Sequence, residues 1–180
     1  MILSSQFLGQ TIYITSLDAY GELDHYVGWL NDPKVNSKLE TRHIEHSHES
    51  VQEFINSANA SPSEYLFGIF LKNRDVHIGN IRLHSINTDT QFGEIGLLIG
   101  ETSEWGKGYA TEAINLVVEF GEKKLSLKTF GAGCYSTNLA SAKAFQKAGF
   151  FVEKEITPGS DLETGFPEAT LRLKREINEL

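Results

Sequence analysis

The segment Trp105-Gly106-Lys107-Gly108-Tyr109-Ala110-Thr111-Glu112 constrains this chain more than any other. It follows a strand-like run, Glu94 to Gly100, and leads into an amphipathic stretch, Ala110 to Leu125. Two glycines at a strand-to-helix turn leave successive backbone N–H groups uncovered, with the positive end of the helix behind them. That is a cradle for an anion. The chain carries 16 Lys and Arg against 24 Asp and Glu, a formal charge of −8. A phosphate-bearing ligand needs such a local device, because the field of the whole chain repels it. The same balance argues against nucleic acid as a partner.

The 180 residues fit one domain spanning 1–180, large enough for a full core. A hydrophobic content of 40% and a charged content of 22% are those of an ordinary globular chain. No apolar run approaches the roughly 20 residues of a membrane span, and no basic-then-apolar leader opens the sequence. The single cysteine, Cys134, excludes an internal disulfide and a Cys-rich zinc site. The expectation is a cytoplasmic protein with no membrane contact; a homodimer is a possible assembly.

Hydrophobic periodicity orders the elements β-α-α-β-β-β-α-β-α-β-β. Thr11 to Leu17 alternates as a strand. Asp18 to Leu30 carries Leu23, Tyr26, Val27 and Leu30 at helical spacing and ends at Asn31-Asp32-Pro33. A polar loop, Asn36 to His48, precedes a short helix from Ser50 to Ser57, where Ser50 and Glu53 suit a capping box. Tyr65 to Lys72, His77 to Ile86 and Phe92 to Gly100 read as an antiparallel meander joined by turn-rich links. Lys128 to Tyr135 is a strand thinned by two glycines, and Asn138 to Ala148 a helix capped by Asn138 and stopped by Gly149. Phe150 to Ile156 and Ala169 to Arg175 form a last strand pair around a long loop, residues 158–167, expected to form one lip of the site.

Three phosphate-binding patterns compete for the glycines. A Walker A loop fails, because five residues separate Gly100 from Gly106 and Gly108 stands where a metal-binding hydroxyl belongs. A dinucleotide fingerprint fails, because Thr111 and Ser136 stand where Gly106-x-Gly108 and Gly131-x-Gly133 need a third Gly or Ala, and neither opens a βαβ unit. The third pattern is (R/Q)-x-x-G-x-(G/A), read here in Trp105-Gly106-Lys107-Gly108-Tyr109-Ala110 with Trp105 at the leading position. Two further matches flank it: Gly93-Glu94-Ile95-Gly96-Leu97 upstream, and Cys134-x-x-x-Asn138-x-x-Ser141 with Lys147-x-Gly149-Phe150 downstream. On these residues the chain resembles the GNAT N-acetyltransferases, in the branch similar to the ribosomal-protein N-terminal acetyltransferases. The likeness covers about residues 11 to 175 and is tightest from Gly93 to Phe150.

The resemblance implies an α/β (α+β) fold: a mixed, mostly antiparallel sheet of six to seven strands, splayed at its centre, with about four helices. It implies acetyl-CoA as co-substrate, its pantetheine arm entering where Glu94–Gly100 and Lys128–Tyr135 part. Backbone groups near Leu98 and Ile99 would pair with that arm, and N–H groups of Gly106, Lys107, Gly108, Tyr109, Ala110 and Thr111 would hold the pyrophosphate. Asn138, Ser141 and Phe145 share one helix face. Asn138 would lie by the thioester arm and Ser141 by the sulfur. Phe145 stands where many relatives carry a thiolate-protonating tyrosine, a role phenylalanine cannot fill.

Transfer to an amine needs a neutral nucleophile. Deprotonating a lysine-like amine at pH 7 costs about 4 to 5 kcal/mol, an N-terminal amine only about 1 to 1.5. Glu94 is the candidate base by its match to a strand glutamate of the family, and the proton donor is Ser141, a water, or nothing. Arg42 and His43, in the polar loop, are candidates for the acceptor pocket, Arg42 through an acceptor carboxylate or phosphate. His43, His46 and His48 lack fixed ligand spacing, so no metal is expected. The expected activity is acetyl transfer by direct attack of a primary amine, on a small molecule such as an amino sugar or on a protein N-terminus. The alternative is a non-catalytic acyl-CoA-binding module on the same fold.

Overall fold

The computed structural model describes residues 6–158 and 168–177. Its strands are β1 (Phe7–Leu8), β2 (Ile12–Ser16), β3 (Tyr65–Leu71), β4 (Val76–Asn87), β5 (Phe92–Ile99), β6 (Thr129–Tyr135), β7 (Phe151–Ile156) and β8 (Thr170–Glu176). Its helices are α1 (Asp24–Asn31), α2 (Pro33–Asn36), α3 (His48–Ala60), α4 (Tyr109–Leu125) and α5 (Leu139–Lys147). One sheet holds the strands in the order β1-β2-β3-β4-β5-β6-β8-β7. Every neighbouring pair is antiparallel except β5 and β6.

Strand alternation sorts the core onto two faces. Along β3, Phe67, Ile69 and Leu71 join a cluster with Ile114, Val117 and Val118 of α4 and Phe145 of α5. Leu66, pointing the other way, joins Tyr26, Trp29 and Leu30 of α1 and Val51 and Ile55 of α3. The sheet is therefore a middle layer, with α4 and α5 on one face and α1 and α3 on the other. Glu112 of α4 closes the first layer to the turn before β2, accepting from the Thr11 backbone N–H at 2.8 Å and from the Thr11 hydroxyl. Burial alone would raise its pKa. Hydrogen bonds from the Thr11 hydroxyl and from the backbone of Thr11, Ile12 and Gln10 hold it below the usual carboxylate range.

The expected seven strands and four helices are present, joined by β1 and α2. Both are too short to leave a periodic signal. Asp32, at the foreseen stop of the first helix, also caps α2 through Lys34 N–H at 2.9 Å, with Pro33 at its first position. Most boundaries shift by a residue or more, and at two helix starts the local hydrogen bonds give the reason. The first helix begins at Asp24 rather than Asp18, because the Asp18 carboxylate accepts the Tyr20 N–H at 2.9 Å and folds its own turn. The cap of α3 is Ser47; Ser50 is its reciprocal partner, not the cap. Of the expected lip, 158–167, residues 159–167 lie outside the described residues.

The end of β5 is braced from below. A Cβ at Gly100 would lie 2.0 Å from Cδ2 of Trp29, whose ring packs edge-on to His77 at 5.0 Å. Gly100→Ala should therefore displace the indole and cost about 1 to 3 kcal/mol. In a chain of this size that lowers the melting temperature by several degrees. Calorimetry giving a value within about 1 °C of wild type would contradict this packing.

Candidate active site

β5 and β6 pair at Phe92↔Thr129, Gly93↔Phe130 and Glu94↔Gly131, and then no further. Each strand is committed to its outer neighbour: β5 to β4 from Gly79 through His84, and β6 to β8 along its whole length. The twist of the sheet carries the two apart. The opening continues into a cavity of about 590 Å³ lined by residues of β4, β5, β6, α1 and α5.

The free edge of β5 has a defined register. Gly100 N–H donates to Ile78 O at 2.9 Å. Since backbone direction alternates, Leu98 turns its peptide groups toward β4, while Leu97 and Ile99 turn theirs into the gap. The Ile99 carbonyl accepts the Trp105 indole N–H at 2.8 Å. Trp105 thus ties the glycine turn to the strand end.

At that turn Gly106 and Gly108 adopt φ of +77° and +91°, a region open to glycine. A Cβ built on either would meet no atom within 4 Å, so the cradle is open rather than sealed by side chains. Among the described residues, no hydrogen bond takes up the backbone N–H groups of Gly106 through Thr111. The side chains around them face elsewhere. Lys107 Nζ pairs with Glu104 at 2.9 Å, and Arg74 pairs with the same carboxylate at 2.6 Å. Hydrogen bonds to Lys107 and Arg74 hold the Glu104 carboxyl below the usual range. Tyr109 and Ala110 pack against the core, and the Thr111 hydroxyl donates to Ala144 O at 3.3 Å.

On the far side of the opening Asn138 caps α5, its Oδ1 accepting the Ser141 N–H at 3.2 Å. The Ser141 hydroxyl bonds to the Cys134 thiol, which burial pushes up despite that contact. Phe145 is buried and packs edge-on to Phe150 at 5.1 Å. Asn138, Ser141, Cys134 and Phe145 all line the cavity.

Glu94 lies at the crotch of the fork, half-buried, 3.8 Å from Arg172 Nη1. It also borders a shallower groove of about 510 Å³ over Gly131 and Phe92. Arg42 reaches the Tyr135 hydroxyl at 3.0 Å and lies 5.2 Å above its ring; Tyr135 lines the cavity. His43 is exposed and lies apart from the cavity lining. His46 binds Asn31 through its backbone and His48 pairs with Asp24 at 2.6 Å, so the three histidines do not converge.

His84 belongs to no motif in the sequence. It sits directly across from Glu94 in the β4–β5 register and lines the same cavity. Burial, and then the Arg82 guanidinium on its own strand, push its imidazole below the usual value, against Glu94 and Glu64. Counting back from the innermost pair, Asn87↔Phe92, would set His84 opposite Ile95; the bulge between them sets it opposite Glu94, and no pattern in the sequence reports that shift.

Comparison with known proteins gives concordant results. The family model for the GNAT acetyltransferase domain matches residues 13–151. A probable N-acetyltransferase of Bacillus subtilis (strain 168), YjcK, is 38% identical over 91 residues, covering 50% of each chain. The matched segment spans 50% to 67% of the length of three curated relatives and less than half of four others. A spermidine N-acetyltransferase from Vibrio cholerae, solved with CoA and spermine, superposes with TM-score 0.78 at 18% identity, over 92% of this chain and 95% of that one. RimL, a ribosomal L7/L12 alpha-N-protein acetyltransferase solved with coenzyme A disulfide-linked to one of its cysteines, superposes with TM-score 0.81 at 16% identity, over 96% and 98%. These two likenesses concern the fold.

The raised thiol has a direct consequence, because the thiolate is the reactive form. Cys134 should react with iodoacetamide at pH 8 more slowly than free cysteine. Ser141→Ala should slow it further by removing the contact that favours the thiolate. Mass spectrometry showing alkylation at the rate of the free amino acid would contradict the burial described.

Proposed function

Because this chain belongs to the GNAT acetyltransferase family, we propose that it transfers an acetyl group from acetyl-CoA to a primary amine, of a small molecule or a protein N-terminus. The observation that carries the reading is the coincidence of an open fork between β5 and β6 with an unoccupied run of N–H groups at the turn that follows β5. A diphosphate fits the run from Gly106 to Thr111, which offers it donors and a helix dipole without a net positive protein. The pantetheine amides pair with the gap-facing backbone of Leu97 and Ile99. The thioester then lies near Asn138 and Ser141.

The acceptor enters past Glu94, whose carboxylate draws an ammonium toward the crotch, with Arg42 beside the opening. Attack forms the nitrogen–carbon bond and breaks the carbon–sulfur bond, and the electron pair leaves with sulfur. The Ser141 hydroxyl donates to the departing thiolate, since Phe145 has no proton to give. A thiolate is a good leaving group, so no covalent enzyme intermediate is needed.

Acetyl-CoA mixed with the protein and a panel of primary amines should release free thiol above the rate without amine. Release with none of them, at intact CoA affinity, would leave a binding module in place of an enzyme. Gly108→Asp should weaken CoA more than tenfold, about 1.4 kcal/mol, because a side chain and a negative charge enter the cradle. Unchanged affinity by titration calorimetry would remove the phosphate site.

A further inference from the structure

We infer that His84 is the proton acceptor for the amine, with its Nε2 facing the reacting nitrogen and Glu94 serving to hold the incoming ammonium; this rests on the acetyl transfer proposed above. Four observations converge on the imidazole. The β4–β5 ladder shifts register between His84 and Asn87, a bulge of the kind that re-aims a side chain. Ser85 within that bulge takes φ +51°, a left-handed conformation that a serine adopts only when its surroundings impose it. The Ser85 hydroxyl lies 3.0 Å from His84 Nδ1 and fixes the ring. The other nitrogen has no hydrogen bond among the described residues and faces the bare backbone of Gly96, where an added Cβ would stand 3.9 Å away. The imidazole thus stands across from the last β5–β6 pair and presents its Nε2 to the cavity beside Gly96, two residues further along β5.

The chemistry favours this nitrogen over the neighbouring carboxylate. An imidazole is ordinarily about 2 pKa units more basic than a carboxylate, and so better matched to an ammonium proton. The charges facing His84 are Arg82 on its own strand, Glu94 on β5 and Glu64 ahead of β3. Arg82 is itself ion-paired with Glu64, and Glu94 lies beside Arg172. Burial and Arg82 favour the neutral ring, the form able to accept. An ammonium gives its first proton to Nε2, which passes it to solvent. The amine then attacks the acyl carbon, and the second proton, lost as the amide forms, ends on the departing sulfur. The sum is one amide, one thiol and one proton in solution.

The test compares wild type, His84→Gln, His84→Ala and Glu94→Gln by thiol release from pH 5.5 to 9 (an assay range set by the ordinary imidazole value of about 6.5), with CoA affinity measured by calorimetry. His84→Gln should lose at least about a hundredfold in kcat while CoA affinity stays put. The acid limb of the wild-type profile, falling below the ordinary histidine range, should vanish in it and persist in Glu94→Gln. Added imidazole should restore part of the rate to His84→Ala. A His84→Gln enzyme that keeps its acid limb, or stays within about fivefold of wild type, overturns the assignment while leaving acetyl transfer standing. If both His84 variants lose CoA, the wild-type ring is titrated by NMR with CoA bound. A midpoint matching the kinetic limb supports the role, and one about a pH unit away refutes it. A wild-type protein that binds CoA and releases no thiol with any amine ends the transfer reading, and this one with it.

Discussion

Two neighbouring strands that part after three residue pairs are what the rest of this molecule depends on. A sheet ordinarily satisfies its backbone by pairing on both sides, and buried N–H and C=O groups left without partners cost free energy. Here the gap stays open because both strands are held from outside, β5 by β4 and β6 by β8. The unpaired edge of β5 is a standing offer of donors and acceptors to an extended ligand. The family's chemistry needs such a ligand arm, and β-augmentation is the physical means of holding it.

The end of the fork is prepared by backbone rather than by side chains. In a chain of charge −8 a cluster of lysines at the phosphate site would be drawn into ion pairs. Lys107 shows this directly, since it is turned onto Glu104 together with Arg74. Main-chain N–H groups cannot be diverted in that way. Two glycines with positive φ set their direction, and the Trp105 indole locks the turn to the Ile99 carbonyl. The same economy of charge holds at the crotch, where Glu94 and His84 face one cavity with Arg82 and Arg172 close by.

What the sequence made legible was local. The glycine turn, the Asn138 cap, the Gly149 stop and the meander each depend on a few adjacent residues, and all are present. Resemblance implies that the two central strands splay, but the parallel pairing and its end at Glu94 come from the structure, because no period in the sequence reports where two distant strands separate. The resemblance points to Leu98 and Ile99, but the direction of the Leu98 peptide groups depends on a hydrogen bond at Gly100 that composition does not reveal. Glu112 stood within the motif without a task, and only the return of the chain past Thr11 gives it one. His84 escaped because its meaning lies in a cross-strand partner and a bulge. His43 neighbours Arg42 in sequence, and the loop turns it to solvent.

Amide hydrogen exchange, read residue by residue by NMR with and without saturating CoA, tests the fork most directly. Binding should slow exchange at Leu97 and Ile99 and from Gly106 through Thr111, while Leu98, already directed at β4, changes least. Unaltered exchange at the β5 edge and the glycine turn in the CoA-saturated protein would contradict the account.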